Sequence, residues 1–417
     1  LCMKKITTER QGAELGQVLI ALFLAVSGAL VAALLASTIA SAQLATPRML
    51  EELKAEIQLR ADRKAYPVAQ LDAAEVREAL ANLTSQDRDH WAAVWGAIGD
   101  RHMAKAKSIE ATNKAEAAHV YDKAMQWYMF ARFPLEDSPG TAQAYKKAID
   151  AFAGYSRMVD PPIEAVKFDY NGTEITGYLR KPKGVAKPPV VITIGGLDGR
   201  KEDGSIRNAA YIEKGVAFFA FDMPGTGQTR IKIEPGADKV YSVVLDALAK
   251  RDDIDAKRVV VTGGSWGGHW SAHLAYSEKD RLLGAVVQGG PVHNYFQPEW
   301  QKKALGTREY LFGLFEARSA VYGVKTLDDF LAYGPKMSLR DRGFLEKPSA
   351  PMLLVNGRND TQVPIDDLQL LLNNGDPKEA WVNPQGGHMG RTAQLTDQKI
   401  FETVVLPWVV RRLGVSM

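Results

Sequence analysis

Ser265, Asp360 and His388 stand where their side-chain types could do nucleophilic chemistry together. Gly263-Gly264-Ser265-Trp266-Gly267 is a Gly-x-Ser-x-Gly pattern between the apolar run Arg258–Thr262 and a helix-like segment, His269 to Tyr276. Strand, tight turn and helix in that order lift a serine hydroxyl above a sheet edge, and the helix start aims backbone N–H groups at developing negative charge. A serine hydroxyl is a weak nucleophile. An imidazole must remove its proton, and a carboxylate must fix the imidazole's tautomer and stabilise the imidazolium. Asp360 follows the apolar run Met352–Asn356 within Gly357-Arg358-Asn359-Asp360, and His388 follows Ala380–Val382 within Gly386-Gly387-His388. Ligands of parallel sheets bind outside the carboxyl ends of the strands, where all three residues are expected.

An oxyanion formed at Ser265 needs two N–H donors. One is assigned to Trp266, directly after the nucleophile. The other is assigned to Leu197, with Gly196 second, in Ile194-Gly195-Gly196-Leu197 after the run Val190–Ile194. Asp222-Met223-Pro224-Gly225-Thr226-Gly227 follows the next run. It has neither the Lys-Ser/Thr of a phosphate loop nor dinucleotide spacing, so it reads as a turn lining the pocket, with Asp222 as a candidate contact. His293 is a further pocket candidate, as are Trp300 and Phe315 with Tyr310, Phe312 and Tyr322, a set of aromatics whose more frequent role is helix core. His269 and His273 are spaced i, i+4 but lack the acidic residue of a His-Glu-x-x-His site, so they read as packing residues. No metal or cofactor is expected.

The elements that must position these groups change character along the chain. Residues 46–160 read as helices. Thr46-Pro47 is expected to cap the first, Asp72 with Glu75 the next, and Ser85 a segment that turns Trp91, Val94, Trp95 and Ile98 to one face. Ala118-x-x-Tyr121-x-x-Ala124 and Ala142-x-x-Tyr145-x-x-Ala148 read as helix-packing signatures. Ile163–Tyr170, Asn171-Gly172 and Glu174–Arg180 then form a β-hairpin on a type I′ turn. Short apolar runs alternate with helices from there: Val190–Ile194, Val216–Phe221, Val259–Thr262, Ala285–Gln288, Met352–Asn356 and Ala380–Val382. The pattern predicts a mostly parallel α/β sheet with an antiparallel start and helices on both faces, over residues 163–415. The order Ser, Asp, His along the chain is that of an α/β-hydrolase fold. About 60 residues separate the run ending at Gln288 from the one starting at Met352, too many for one crossover. Residues 293–346 are therefore expected to form a helical lid insertion.

The 417 residues are 46% hydrophobic with a net charge of +3, ample for a large core and without a basic run that would suit nucleic acid. Cys2 is the single cysteine, so no internal disulfide framework exists. Lys4, Lys5 and Arg10 precede an apolar run from about Val18 to Ala36, and Ala40-Ser41-Ala42 follows. This reads as a signal peptide over residues 1–42 of an exported, periplasmic or secreted protein, or as a membrane anchor if uncleaved. A homodimer is compatible with the sequence.

Taken together, the helical amino-terminal region, Gly195-Gly196-Leu197-Asp198-Gly199-Arg200-Lys201-Glu202, Asp222-x-Pro224-Gly225-x-Gly227, Gly263-Gly264-Ser265-Trp266-Gly267-Gly268 and Gly357-Arg358-Asn359-Asp360 resemble the fermentation-respiration-switch-protein-like esterases. That group also includes 2,6-dihydroxypseudooxynicotine hydrolase and fungal polyketide-shortening hydrolases. The resemblance covers roughly residues 50–415. It implies ester hydrolysis through an acyl-enzyme on a small-molecule substrate, and in some members cleavage of a carbon–carbon bond next to a ketone. Members are mostly intracellular, so the export signal is a departure. A catalytically dead fold used as a binding module is the alternative of another class, and it would need none of the three residues.

Overall fold

The structure, a computed structural model, describes residues 44–416. The expected signal segment and its cleavage site lie outside the described residues. No helix among those described is long and apolar enough to cross a membrane.

Five helices open the described chain: α1 (Leu50–Asp62), α2 (Ala73–Asn82), α3 (Arg88–Ile109), α4 (Lys114–Arg132) and α5 (Pro139–Met158). Asp72 caps α2, its carboxylate accepting the N–H groups of Ala74 and Glu75. Two expected caps differ. Helix α1 starts at Leu50 behind Met49, beyond Thr46-Pro47, and α3 is capped by the Asp87 carboxylate, two residues after Ser85. Trp91, Trp95 and Ile98 form the buried face of α3, where Trp95 stacks on Trp127 and meets Phe130 of α4 edge-on. Ala118, Tyr121, Ala124, Tyr145 and Ala148 are buried between α4 and α5, whereas Ala142 is exposed.

An eight-stranded sheet follows, ordered β1-β2-β4-β3-β5-β6-β7-β8. Its members are β1 (Ile163–Tyr170), β2 (Thr173–Arg180), β3 (Pro189–Ile194), β4 (Ala217–Phe221), β5 (Asp255–Gly264), β6 (Gly284–Gln288), β7 (Met352–Gly357) and β8 (Glu379–Asn383). β1 and β2 pair as the expected hairpin, with Asn171 and Gly172 both at positive φ as a type I′ turn requires. β2 runs antiparallel to β4, and the pairs from β4 to β8 are parallel.

Strand residues alternate between two buried faces, which is why the runs read as continuously apolar. Helix α6 (Lys201–Arg207) follows β3, and Val190, Ile192 and Ile194 face one core, with α7 (Lys239–Ala249) and α8 (Trp266–Ser277). Val191, Phe218, Val260 and Val286 face another, built from α4, α5 and the carboxyl-terminal segment Trp408–Val410. The helical region thus supplies one layer of the sheet's own core. Between β6 and β7 lie α9 (Pro298–Leu305), α10 (Leu314–Tyr322) and α11 (Leu327–Tyr333). This insertion meets the helical region directly. Phe312 packs edge-on against Trp91 at 4.9 Å, and Arg48 donates to the carbonyls of Arg308, Tyr310 and Leu311.

Candidate active site

β5 ends at Gly264, and α8 begins at Trp266, leaving Ser265 alone on the turn. Its backbone is at φ 54°, ψ −125°, a strained conformation for a residue with a side chain and the one that projects the hydroxyl away from the sheet. The flanking glycines are obligatory. A Cβ on Gly263 would lie 2.0 Å from the carbonyl oxygen of Gly267, and one on Gly267 would lie 2.3 Å from that of Ile194. Ser265 N–H donates to the Gln288 carbonyl at 2.8 Å, fixing the turn to β6.

Asp360 and His388 sit at the ends of β7 and β8. Asp360 Oδ2 is 2.8 Å from His388 Nδ1, and both side chains are buried. The other oxygen, Oδ1, accepts the N–H groups of Gln362 (2.7 Å) and Val363 (2.9 Å). Burial alone would raise the Asp360 carboxyl, but His388 and these N–H donors hold it below its ordinary value. The loop carrying His388 lies against the Ser265 turn. Met389 Cε would contact a Cβ placed on Gly264, His388 Cε1 lies 3.2 Å from a Cβ placed on Gly289, and Gln288 Nε2 donates to the Met389 carbonyl. No hydrogen bond among the described residues joins Ser265 Oγ to His388. Such contacts often tighten only when substrate binds.

On the other flank, the loop after β3 passes beside Ser265. A Cβ on Gly196 would lie 3.2 Å from Ser265 Cβ and 3.8 Å from Trp266 N. Gly196 and Trp266 are therefore together beside Ser265, with Leu197 the next residue along the loop. The loop is held by groups the sequence did not single out. Arg200, buried, makes bonds of 2.8–3.1 Å to the Glu136 carboxylate and donates to the Gly199 carbonyl. Arg132 donates to the Asp198 carbonyl, and the Tyr310 and Tyr66 hydroxyls both donate to Asp198 Oδ2. Only the charge-rich run Asp198–Glu202 hinted at this. Glu136 and Arg132 sit in no motif.

The pocket candidates separate. Asp222 is corrected from pocket contact to brace, since both its oxygens are taken by Lys201 N–H and Nζ (2.8 Å each) and Gln228 N–H (3.0 Å) beneath the loop. His293 is held through Nδ1 by the Ser338 hydroxyl at 2.8 Å. Trp300 Nε1 donates to the Gln362 carbonyl, two residues from Asp360, while Phe315 packs edge-on against Phe330. His269 Nδ1 bonds the Pro291 carbonyl and its ring is enclosed by aromatics, so burial pushes it down to about 3. An open concavity of about 570 Å³ lies at the opposite sheet edge, where β7 and β8 begin, beside Trp408 and Arg412. It contains none of these groups.

With this geometry in view, the family model for FrsA-like esterases matches residues 72–384, well over half of the chain, and includes Ser265 and Asp360. The chain belongs to the FrsA-like esterase family. Among relatives, esterase FrsA of Vibrio cholerae serotype O1 is 26% identical over 289 residues, 68% of this chain and 68% of that protein. Hydrolase LUC6 of Fusarium sp is 27% identical over 325 residues, 67% of this chain and 77% of that protein. The fold is shared with 2,6-dihydroxy-pseudo-oxynicotine hydrolase (TM-score 0.69, 21% identity, covering 85% of this chain and 95% of that one). It is shared too with AbyA5 (TM-score 0.70, 22% identity, 88% and 96%). This FrsA-like chain is thus a hydrolase on an α/β-hydrolase sheet with an amino-terminal helical region.

Proposed function

We propose that the protein hydrolyses carboxylic esters of small molecules through an acyl-enzyme on Ser265. Ser265 Oγ attacks the carbonyl carbon and its proton passes to His388 Nε2. Asp360 keeps the Nδ1–H tautomer and stabilises the imidazolium. The N–H groups of Trp266 and Leu197 receive the negative charge on the carbonyl oxygen. His388 then returns the proton to the departing alkoxide, and a water deprotonated by the same imidazole releases the acid. The insertion over residues 293–346 acts as the roof of the substrate site. The observation that carries this reading is the conjunction of a strained Ser265 turn with a 2.8 Å Asp360–His388 pair at one sheet edge.

A panel of chromogenic esters of rising acyl length, run beside an acylated phenyl ketone, tests it. Turnover of esters is expected, with kcat lowered by roughly 10⁴ to 10⁶ in Ser265→Ala. Cleavage of the ketone alone, or near-normal ester turnover in Ser265→Ala, would overturn it.

A further inference from the structure

Arg318 lies in the middle of α10 and is 3% exposed. Nη1 donates to Gln301 Oε1 at 2.9 Å and Nη2 to Gln362 Oε1 at 3.0 Å, with a longer contact to the Gln362 carbonyl at 3.5 Å. These acceptors are all neutral, and they leave Nε unused, so they do not exhaust the donors of a guanidinium. Its face rests on the Tyr295 ring at 4.9 Å. No carboxylate lies within ion-pair distance of it among the described residues, whereas Arg132 and Arg200, equally buried, share Glu136. A buried charge is costly unless it is paired. A carboxylate carried by a ligand would supply the missing counter-charge.

Its position says which ligand. The Tyr295 hydroxyl accepts from Trp266 Nε1 at 3.0 Å, and Trp266 follows the nucleophile. Gln362, which holds Nη2, is itself bonded through its N–H to Asp360. Arg318 is therefore one side chain removed from both flanks of the reaction centre. Asp360, the carboxylate reached through Gln362, is already engaged by His388. We propose that Arg318 is a specificity-determining residue that binds a carboxylate carried by the ester substrate. The fork of a guanidinium matches the planar carboxylate oxygens in a way a lysine does not. This assignment rests on the ester reading above and narrows it to anionic esters.

Matched pairs of esters test it on the full protein: the 4-nitrophenyl monoester of adipate against 4-nitrophenyl hexanoate, and 3-acetoxybenzoate against phenyl acetate. The two pairs place the carboxylate on the acyl side and on the leaving-group side. Wild type is expected to favour the carboxylate member of at least one pair by tenfold or more in kcat/KM. Arg318→Met should bring that ratio close to unity, and Arg318→Lys should keep part of it. A wild-type ratio below about threefold in both pairs, or a ratio that survives Arg318→Met, overturns the assignment. Should Arg318→Met fail to fold, the wild-type ratios and Arg318→Lys decide. If no ester is turned over, the ester reading itself fails. Calorimetry of Ser265→Ala with adipate against hexanamide then still decides the anion claim, with equal or absent binding overturning it.

Discussion

The two flanks of Ser265 are built on different principles. On the proposed acid–base flank, Asp360 is held by the N–H groups of Gln362 and Val363 a few residues away, and His388 by backbone pairing of the loops after β7 and β8, where Asn359 N–H bonds the Gly386 carbonyl. On the flank proposed to hold the oxyanion, the loop after β3 is held from a distance by buried charge. Glu136, outside the sheet, binds Arg200, and Lys201 is buried between Asp222 and Glu202. Burial works against the charges of Arg200 and Lys201, yet their carboxylate partners raise both above their ordinary values. One flank is local and replaceable as a unit. The other makes the helical region part of the scaffold of the proposed reaction centre.

Breaking the local flank should have the largest effect on rate. We predict that His388→Ala lowers kcat by roughly 10⁴ to 10⁶ and that adding Ser265→Ala costs little more, because the two act as one unit. Asp360→Asn should cost about 10⁴, since the amide favours the wrong tautomer. Single-turnover kinetics would check these values. Unchanged melting temperatures would show that the loss is chemical.

Breaking the distant flank should cost stability and rate together. Glu136→Gln leaves two buried guanidinium groups without their carboxylate, a loss of about 3 kcal/mol in denaturant unfolding. A displaced oxyanion loop should lower kcat by about tenfold, a fraction of the roughly 10² to 10³ that one donor is worth. If stability fell while kcat held, the clamp would be structural only.

The smallest predicted effect sharpens the contrast between His388 and the histidines of α8. The His269 pKa is pushed down to about 3 by burial, from about 6.5 in the unfolded chain. Its contribution is therefore fully present above about pH 6.5 and is lost as pH falls toward 3, because the unfolded state binds the proton first. His269→Gln should flatten the stability profile between pH 6 and 4 by about 1.4 kcal/mol per pH unit. It should change kcat less than threefold. An unaltered slope would mean that the ring is not buried as described.

The difference between the flanks also explains what the sequence could reveal. Ser265, Asp360 and His388 announce themselves because glycine and strand patterns within a few residues dictate where they stand. The sheet was legible for the same reason, since each strand's period and each turn's glycine are local. Glu136 and Arg132 were not legible, because their importance depends on which helix packs over which loop. Asp222 was misread because a carboxylate after a strand looks alike whether it faces a ligand or a buried lysine 21 residues earlier. The helix starts at Leu50 and Asp87 differ from the expected ones by two or three residues. At α1 no side chain caps the helix, and at α3 the Asp87 carboxylate stands two residues beyond Ser85.

The central claim is that Ser265 becomes covalently acylated. Reaction with a fluorophosphonate followed by peptide mass spectrometry measures this directly. One adduct on the peptide containing Ser265 is predicted, formed in step with loss of ester hydrolysis and absent from Ser265→Ala. An adduct on another residue, or full ester hydrolysis by protein that the probe leaves unmodified, would contradict the account.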